Sequence, residues 1–212
     1  WQRPVPAADT GKRILIVGAG PAGLSAAYQL RRLGHAVHVV ESAEAAGGMM
    51  RYGIPKYRLP REVLDQEIAR ITALGVEFEF GREVKDLNAE MKSAGYDAAF
   101  LGAGASLAHR AYIPAGDAAH ILDAVSVLRS MEAPDQGEDA PMLGRRVVVY
   151  GGGNTAIDVA RTVKRLGSEP IVVYRRTRDR APAHAFEIQP AIFLIFHHHR
   201  STYRFRIPIH LI

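Results

Sequence analysis

The chain has 212 residues, 48% of them apolar, and its 27 basic and 22 acidic residues give a formal net charge of +5. That length fits one large or two small domains, the mild positive excess suits anionic cofactors or an acidic partner, and the scattered basic residues form no run among aromatics of the kind that binds nucleic acid. The absence of cysteine excludes a redox disulfide, a thiolate nucleophile and an iron–sulfur cluster ligated by this segment itself.

No apolar run is long enough to span a membrane, and no signal peptide is visible ahead of a first residue that is Trp, not Met. Together with the missing cysteines, this points to a reducing, cytoplasmic setting.

In chain order, residues 1–12 read as a linker broken by Pro4, Pro6 and Gly11. Arg13–Val17 is a β-branched run of the buried parallel type. Pro21–Leu33 reads as a helix, with Pro21 at the first turn, where its missing N–H is no loss, and Gly34 as the C-terminal cap. Ala36–Val40 is the next strand, and Ala46–Pro60 a Gly/Pro-rich loop. Val63, Ile68, Ile71 and Leu74 give Glu62–Leu74 near-helical spacing. Strands are expected at Val76–Phe80 and Ala98–Leu101. The polar stretch Pro134–Leu143 is the expected domain boundary. After it come a strand at Arg146–Tyr150, a helix at Asn154–Leu166 capped by Gly167, and a strand at Ile171–Tyr174.

Two glycine-rich turns stand in matching strand–turn–helix–strand settings. Gly18, Gly20, Gly23 and Arg32-Leu33-Gly34 align at one constant offset with Gly151, Gly153, Ala156 and Arg165-Leu166-Gly167. At the first turn, Gly18 permits the tight bend, Gly20 leaves room for a phosphate, and Gly23 lets helix and strand pack closely. The helix N-terminus adds N–H donors and partial positive charge. Glu41, at the end of the second strand, is placed to accept from ribose hydroxyls and to repel a 2′-phosphate, so this site expects FAD or NAD rather than NADP. At the second turn the strand ends in Arg175-Arg176, whose guanidiniums suit a 2′-phosphate. NADP(H) is the expected ligand there, with NAD beside a merely solvated basic loop as the alternative.

Other candidates are weaker. His197-His198-His199 alternate faces if extended, and no second ligand cluster accompanies them, so no metal site is expected. Asp158 reads as a packed helix residue. Ser25 and Ser106 lack a nucleophile-elbow setting. His184 is a candidate for proton handling near the nicotinamide.

As a set, Val17-Gly-Ala-Gly-Pro-Ala-Gly-Leu24, Gly47-Gly-Met-Met-Arg-Tyr-Gly-Ile-Pro55, Tyr57-Arg-Leu-Pro60, Gly151-Gly-Gly-Asn-Thr-Ala-Ile-Asp158 and Tyr174-Arg-Arg176 resemble the glutamate synthase small-subunit family. That family includes related NADPH-dependent flavoprotein reductase modules, with adrenodoxin reductase a more distant relative. The resemblance runs from Gly11 to Ile188 and implies an α/β fold of two Rossmann-like dinucleotide-binding domains of the glutathione-reductase type. It implies FAD at the first site, with Gly18, Gly20, Pro21, Ala22, Gly23, Glu41, Gly48, Met49 and Val84 as binding residues. It implies NADP(H) at the second, with Gly151, Gly152, Gly153, Asn154, Thr155, Arg175, Arg176 and Glu187. The Gly53-Ile54-Pro55 loop is expected beside the flavin.

The domain expectation is a linker over 1–12, an FAD-binding domain over 13–140, a partial NADP-binding domain over 141–190 and an atypical tail over 191–212. The family's upstream cysteine-rich segment and its later return to the FAD domain have no counterpart here, so the C-terminal part is expected to be missing. The expected activity is hydride transfer from NADPH to FAD, with electrons passing to an iron–sulfur protein or partner enzyme subunit. No catalytic acid, base or nucleophile is expected, because the cofactors carry the chemistry. A reductase subunit serving ferredoxin or a molybdenum enzyme, and a non-catalytic nucleotide-binding fragment, are the alternatives.

Overall fold

The computed structural model describes residues 4–105, 121–132, 143–185 and 210–211. The chain divides into two compact units, Trp1–Ser106 and Leu107–Ile212.

The first unit begins with β1 (Arg13–Val17), α1 (Pro21–Arg32) and β2 (Ala36–Val40). It continues through α2 (Met49–Tyr52), α3 (Arg61–Thr72), β3 (Glu77–Glu79), α4 (Leu87–Ala94) and β4 (Ala98–Leu101). Its sheet has the order β3-β2-β1-β4, and every pairing is parallel. The alternation of β1 feeds two cores. Ile16 joins Leu24 and Ala27 of α1, Val37 and Val39 of β2, and Ile68 and Ile71 of α3. Leu15 faces the other way and joins Val40, Tyr96 and, from α4, Leu87 and Met91. Helices on both faces are what an all-parallel sheet requires.

The leading segment is held to the end of α1. The Ala7 N–H donates to Arg32 O at 2.9 Å and the Thr10 N–H to Gly34 O at 3.1 Å. Gly34 has φ +88°, and a Cβ there would lie 2.0 Å from Ala8 O, so the cap residue doubles as the seat of the incoming chain.

The second unit contains α5 (Ala124–Glu132), β5 (Arg146–Tyr150), α6 (Asn154–Arg165), β6 (Glu169–Val173) and the short β7 (His210–Leu211). Strand order is β6-β5-β7, again parallel throughout. Its core joins Val147 and Val149 of β5, Val159 and Val163 of α6, and Val127 and Leu128 of α5.

Several elements differ from the sequence expectation. The 46–60 loop contains a single helical turn, α2, and β6 starts at Glu169 and includes Pro170. Among the described residues β6 is an edge strand, where a missing N–H is tolerated. On α3 the expected Ile68 and Ile71 pack on the core and Leu74 beyond it is buried, but at the start of the helix the inward position is Leu64, 4% exposed, whereas Val63 is 48% exposed. Helices α4 and α5 lie in stretches for which no element is expected. The unit division after Ser106 falls well before Pro134–Leu143, and α5 packs with β5 and α6 although it lies upstream of that stretch. The 133–142 stretch lies outside the described residues.

Two carboxylates of the first unit are paired with cations. Asp97 accepts from Lys12 Nζ and from the Arg13 N–H, each at 2.8 Å. The Lys12 hydrogen bond, then the Arg13 N–H, hold its carboxyl below the usual range. The Arg82 guanidinium does the same for Glu90, donating to both oxygens at 2.9 and 3.0 Å. Two carboxyls with depressed folded-state values bind fewer protons folded than unfolded. The stability they supply is therefore complete above roughly pH 5 and drains away as pH falls through their folded-state values. Asp97→Asn with Glu90→Gln is expected to flatten the acid limb of a melting-temperature profile; an unchanged limb would dismiss this role.

Candidate functional site

Each unit carries a turn in which a strand of the parallel sheet runs into a helix. In the first, the Gly18 N–H donates to Val40 O at 2.8 Å, so the turn leaves the sheet beside the end of β2. Gly18 has φ +99°, and a Cβ there would meet Gly102 O at 2.4 Å. A Cβ on Gly23 would lie 1.9 Å from Gly18 O. Both glycines are thus demanded by the fold itself. Gly20 is not. Its φ is −75°, and the nearest atom to an added Cβ is Gly48 Cα at 3.9 Å. A Cβ there would find room, in ordinary contact with that atom, and no side chain caps α1.

Gly48 closes the far side. Its φ is +51°, and a Cβ would sit 2.7 Å from Gly20 Cα. The Gly47 N–H donates to Ala19 O at 2.8 Å, which ties the two glycine segments together. Glu41 is half-buried between them. Its Oε2 accepts from the Ala19 N–H at 2.7 Å, and its Oε1 from the Ala43 N–H at 2.8 Å and the Ser42 hydroxyl at 3.2 Å. The carboxylate is therefore fixed against the turn rather than waving in solvent.

Pro21 and Ala22 are exposed at the start of α1, and Met49 is exposed at the start of α2. Val84 is half-buried and packs on the Leu15–Val40–Tyr96 cluster. The Gly53-Ile54-Pro55 loop is held by Arg61, a residue the sequence reading passed over. The Arg61 guanidinium donates to Met50 O at 3.2 Å, Leu59 O at 3.0 Å and Ile54 O at 2.7 Å. Gly102 was also missed; its signal is a glycine directly after a strand.

The second turn repeats the pattern. The Gly151 N–H donates to Val173 O at 2.9 Å, and Gly151 has φ +150°. Ala156 takes the packing position, its Cβ 3.2 Å from where a Gly151 Cβ would be. Gly153, at φ −88°, has no atom within 4 Å of an added Cβ, and no side chain caps α6. Gly152 is buried against the Tyr174 ring, whose Cδ2 would be 2.7 Å from a Cβ. Asn154 and Thr155 are exposed, as are Arg175 and Arg176. The arginine loop folds back onto the turn. The Ala183 N–H donates to Gly152 O at 3.0 Å and the His184 N–H to Asn154 Oδ1 at 3.2 Å. His184 is exposed, and Asp158 is buried at 4% within α6. Glu187, Ser106 and the 197–199 histidines lie outside the described residues. Among the described residues no group of three or more His, Asp or Glu could hold a metal, and no helix is long and apolar enough to cross a membrane.

Comparison with known proteins agrees with this geometry. The chain is 40% identical over 190 residues to the NADP(+)-dependent formate dehydrogenase subunit beta of Moorella thermoacetica, covering 87% of this chain and 26% of that protein. It is 35% identical over 192 residues to the glutamate synthase [NADPH] small chain of Escherichia coli, covering 86% of this chain and 41% of that one. It thus spans between a quarter and half of these relatives. Among solved structures, Mycobacterium tuberculosis FprA in complex with NADPH superposes with a TM-score of 0.70 at 23% identity, covering 84% of this chain and 46% of FprA. Thioredoxin reductase from Lactococcus lactis gives 0.58 at 19%, covering 95% and 64%. These likenesses carry the α/β dinucleotide-binding fold. The family profile for pyridine nucleotide-disulphide oxidoreductase matches residues 12–197 and so takes in both glycine turns; the chain belongs to that family.

Proposed function

We propose that this chain is the dinucleotide-handling part of an NADPH-dependent flavoprotein oxidoreductase, with FAD at the Gly18–Gly23 turn and NADP(H) at the Gly151–Ala156 turn. One observation carries the reading. At Gly20 and Gly153 neither backbone angle nor internal packing calls for glycine, yet both stand at uncapped helix starts with room for a Cβ. A missing Cβ there serves something that approaches from outside, and N–H groups at a helix start favour an anion.

The residues fit these cofactors. Glu41 keeps acceptor capacity beyond the three donors it already holds, since a carboxylate offers about four lone-pair sites. Its orientation suits ribose hydroxyls, and its charge disfavours a 2′-phosphate. Exposed Arg175 and Arg176 offer planar donors to that phosphate. FAD, when bound, supplies acceptance of a hydride from reduced nicotinamide and release of electrons to a further centre. The chain's own residues bind and orient. Without cysteine in its 212 residues, no flavin–disulfide relay runs within this chain.

The onward acceptor is proposed to be an iron–sulfur protein or partner enzyme subunit. Relatives named as subunits of glutamate synthase, formate dehydrogenase and an NADPH-Fe(3+) oxidoreductase support this. A cytoplasmic setting agrees with the cysteine-free sequence.

Three measurements test the reading. In an anaerobic absorbance titration, FAD-loaded protein is expected to bleach with NADPH far more readily than with NADH. A chain that retains no flavin would instead be a non-catalytic fragment. Arg175→Ala with Arg176→Ala is expected to weaken NADPH binding by about 2–4 kcal/mol, from two charge-assisted hydrogen bonds of about 1.5–3 kcal/mol each that do not add fully. NADH binding is expected to hold, and equal losses for both nucleotides would remove the 2′-phosphate role. Gly20→Ser and Gly153→Ser each place a good N-cap residue where a Cβ has room. Melting temperature is expected to hold while FAD and NADPH affinity, respectively, fall by about tenfold or more from the steric cost of overfilling. Unchanged affinity would mean that nothing approaches those glycines.

A further inference from the structure

The nine residues between the end of β6 and Ala183 form an arch that leaves the second turn and returns to it. At its departure the Gly151 N–H is bonded to Val173 O, and at its return the Ala183 N–H is bonded to Gly152 O. Arg175 and Arg176 ride on its outgoing limb, exposed to solvent. Inside the arch, Tyr174 makes two contacts at once. Its ring lies flat enough against Gly152 that ring carbons Cδ2, Cγ and Cε2 would stand 2.7, 2.8 and 2.9 Å from a Cβ there. Its hydroxyl donates to Arg180 O at 3.2 Å. The 3₁₀ turn Arg178–Arg180 is closed by the Arg180 N–H on Thr177 O at 3.0 Å. One side chain therefore fixes both the root of the arginine pair, through Gly152, and the opposite limb, through Arg180.

Long arginine side chains lose much rotamer freedom when they grip a phosphate. A backbone held in place lowers the further cost of bringing two guanidiniums to one point, which is where preorganisation gains affinity. We infer that Tyr174 is a positioning residue for nucleotide specificity: by pinning the arch at Gly152 and Arg180 it sets where Arg175 and Arg176 meet a 2′-phosphate, without touching that phosphate itself. This rests on the NADP(H) reading of the second turn. The role belongs to the hydroxyl as well as to the ring: the ring packs on Gly152 and the hydroxyl reaches the opposite limb at Arg180. Phenylalanine keeps the packing against Gly152 and deletes the bond to Arg180, so the two parts separate cleanly.

The test titrates the full chain and its Tyr174→Phe variant with 2′,5′-ADP and with 5′-AMP, two probes that differ at the 2′-phosphate. Tyr174→Phe is expected to weaken 2′,5′-ADP by about threefold to tenfold, the span of one neutral hydrogen bond, and to leave 5′-AMP within about twofold. Placed in the Arg175→Ala, Arg176→Ala background, Tyr174→Phe is expected to have no further effect on 2′,5′-ADP, since the groups it positions are gone. Equal weakening of both probes, or a full additional loss in that background, would assign Tyr174 to general folding of the turn and overturn the inference. If the unsubstituted chain separates the two probes and the Phe variant matches it, the inference falls and the NADP(H) reading stands. If the unsubstituted chain does not separate them, both fall.

Discussion

A methyl group that is absent from Gly23 governs the first unit. Helix α1 rests so close to the turn that a Cβ at this position would penetrate the Gly18 carbonyl, 1.9 Å away. Because the helix sits down that far, its first turn lies next to the sheet end. Gly18 can then bond Val40, and Gly47 can reach Ala19. The cradle around Gly20 is a by-product of this close seating. In the second unit Ala156 stands at the position of Gly23, its Cβ 3.2 Å from where a Gly151 Cβ would be. There the Tyr174 ring packs against Gly152.

The two turns share a backbone plan and diverge in what terminates their second strands. Glu41 is drawn inward, its two oxygens taking two backbone N–H groups and a hydroxyl. Arg175 and Arg176 stand outward on an arch. The difference follows from chemistry. A carboxylate is a pure acceptor and takes the N–H donors its turn offers, whereas a guanidinium has only donors, and both of these stand exposed to solvent. The same local architecture therefore yields a buried-edge anion in one unit and projecting cations in the other.

What the sequence disclosed, it disclosed through steric exceptions. Gly18, Gly23 and Gly34 each mark a place where a side chain would collide with backbone, and Pro21 marks a helix start, so turns and caps were legible. Amphipathic spacing was less exact: Val63 and Leu64 are adjacent and both apolar, and only the direction of α3 decides which points inward. Helix α4 turns Leu87, Met91 and Ala94 to the core, an eight-residue helix whose apolar stripe ends in a small alanine and so gives a weak periodic signal. Its Asp86 cap, accepting from the Ala89 N–H, and its terminal Gly95 at φ +66° were the available clues. The arginine arch was not legible. Its closure by Ala183 on Gly152 is backbone to backbone, and such bonds leave no imprint on residue identity.

The attachment of the leading segment to Gly34 also fixes a polarity. Residues 7–10 run beside the last turn of α1 and lead into the start of β1. The glycine turn, by contrast, lies where β1 ends and α1 begins, so the chain enters this unit at the pole opposite its cradle. A fluorophore or surface tether placed near Val5, which is 89% exposed, would leave the mouth of that cradle unobstructed. Immobilised protein could then be supplied with flavin from solution without the support standing in the way.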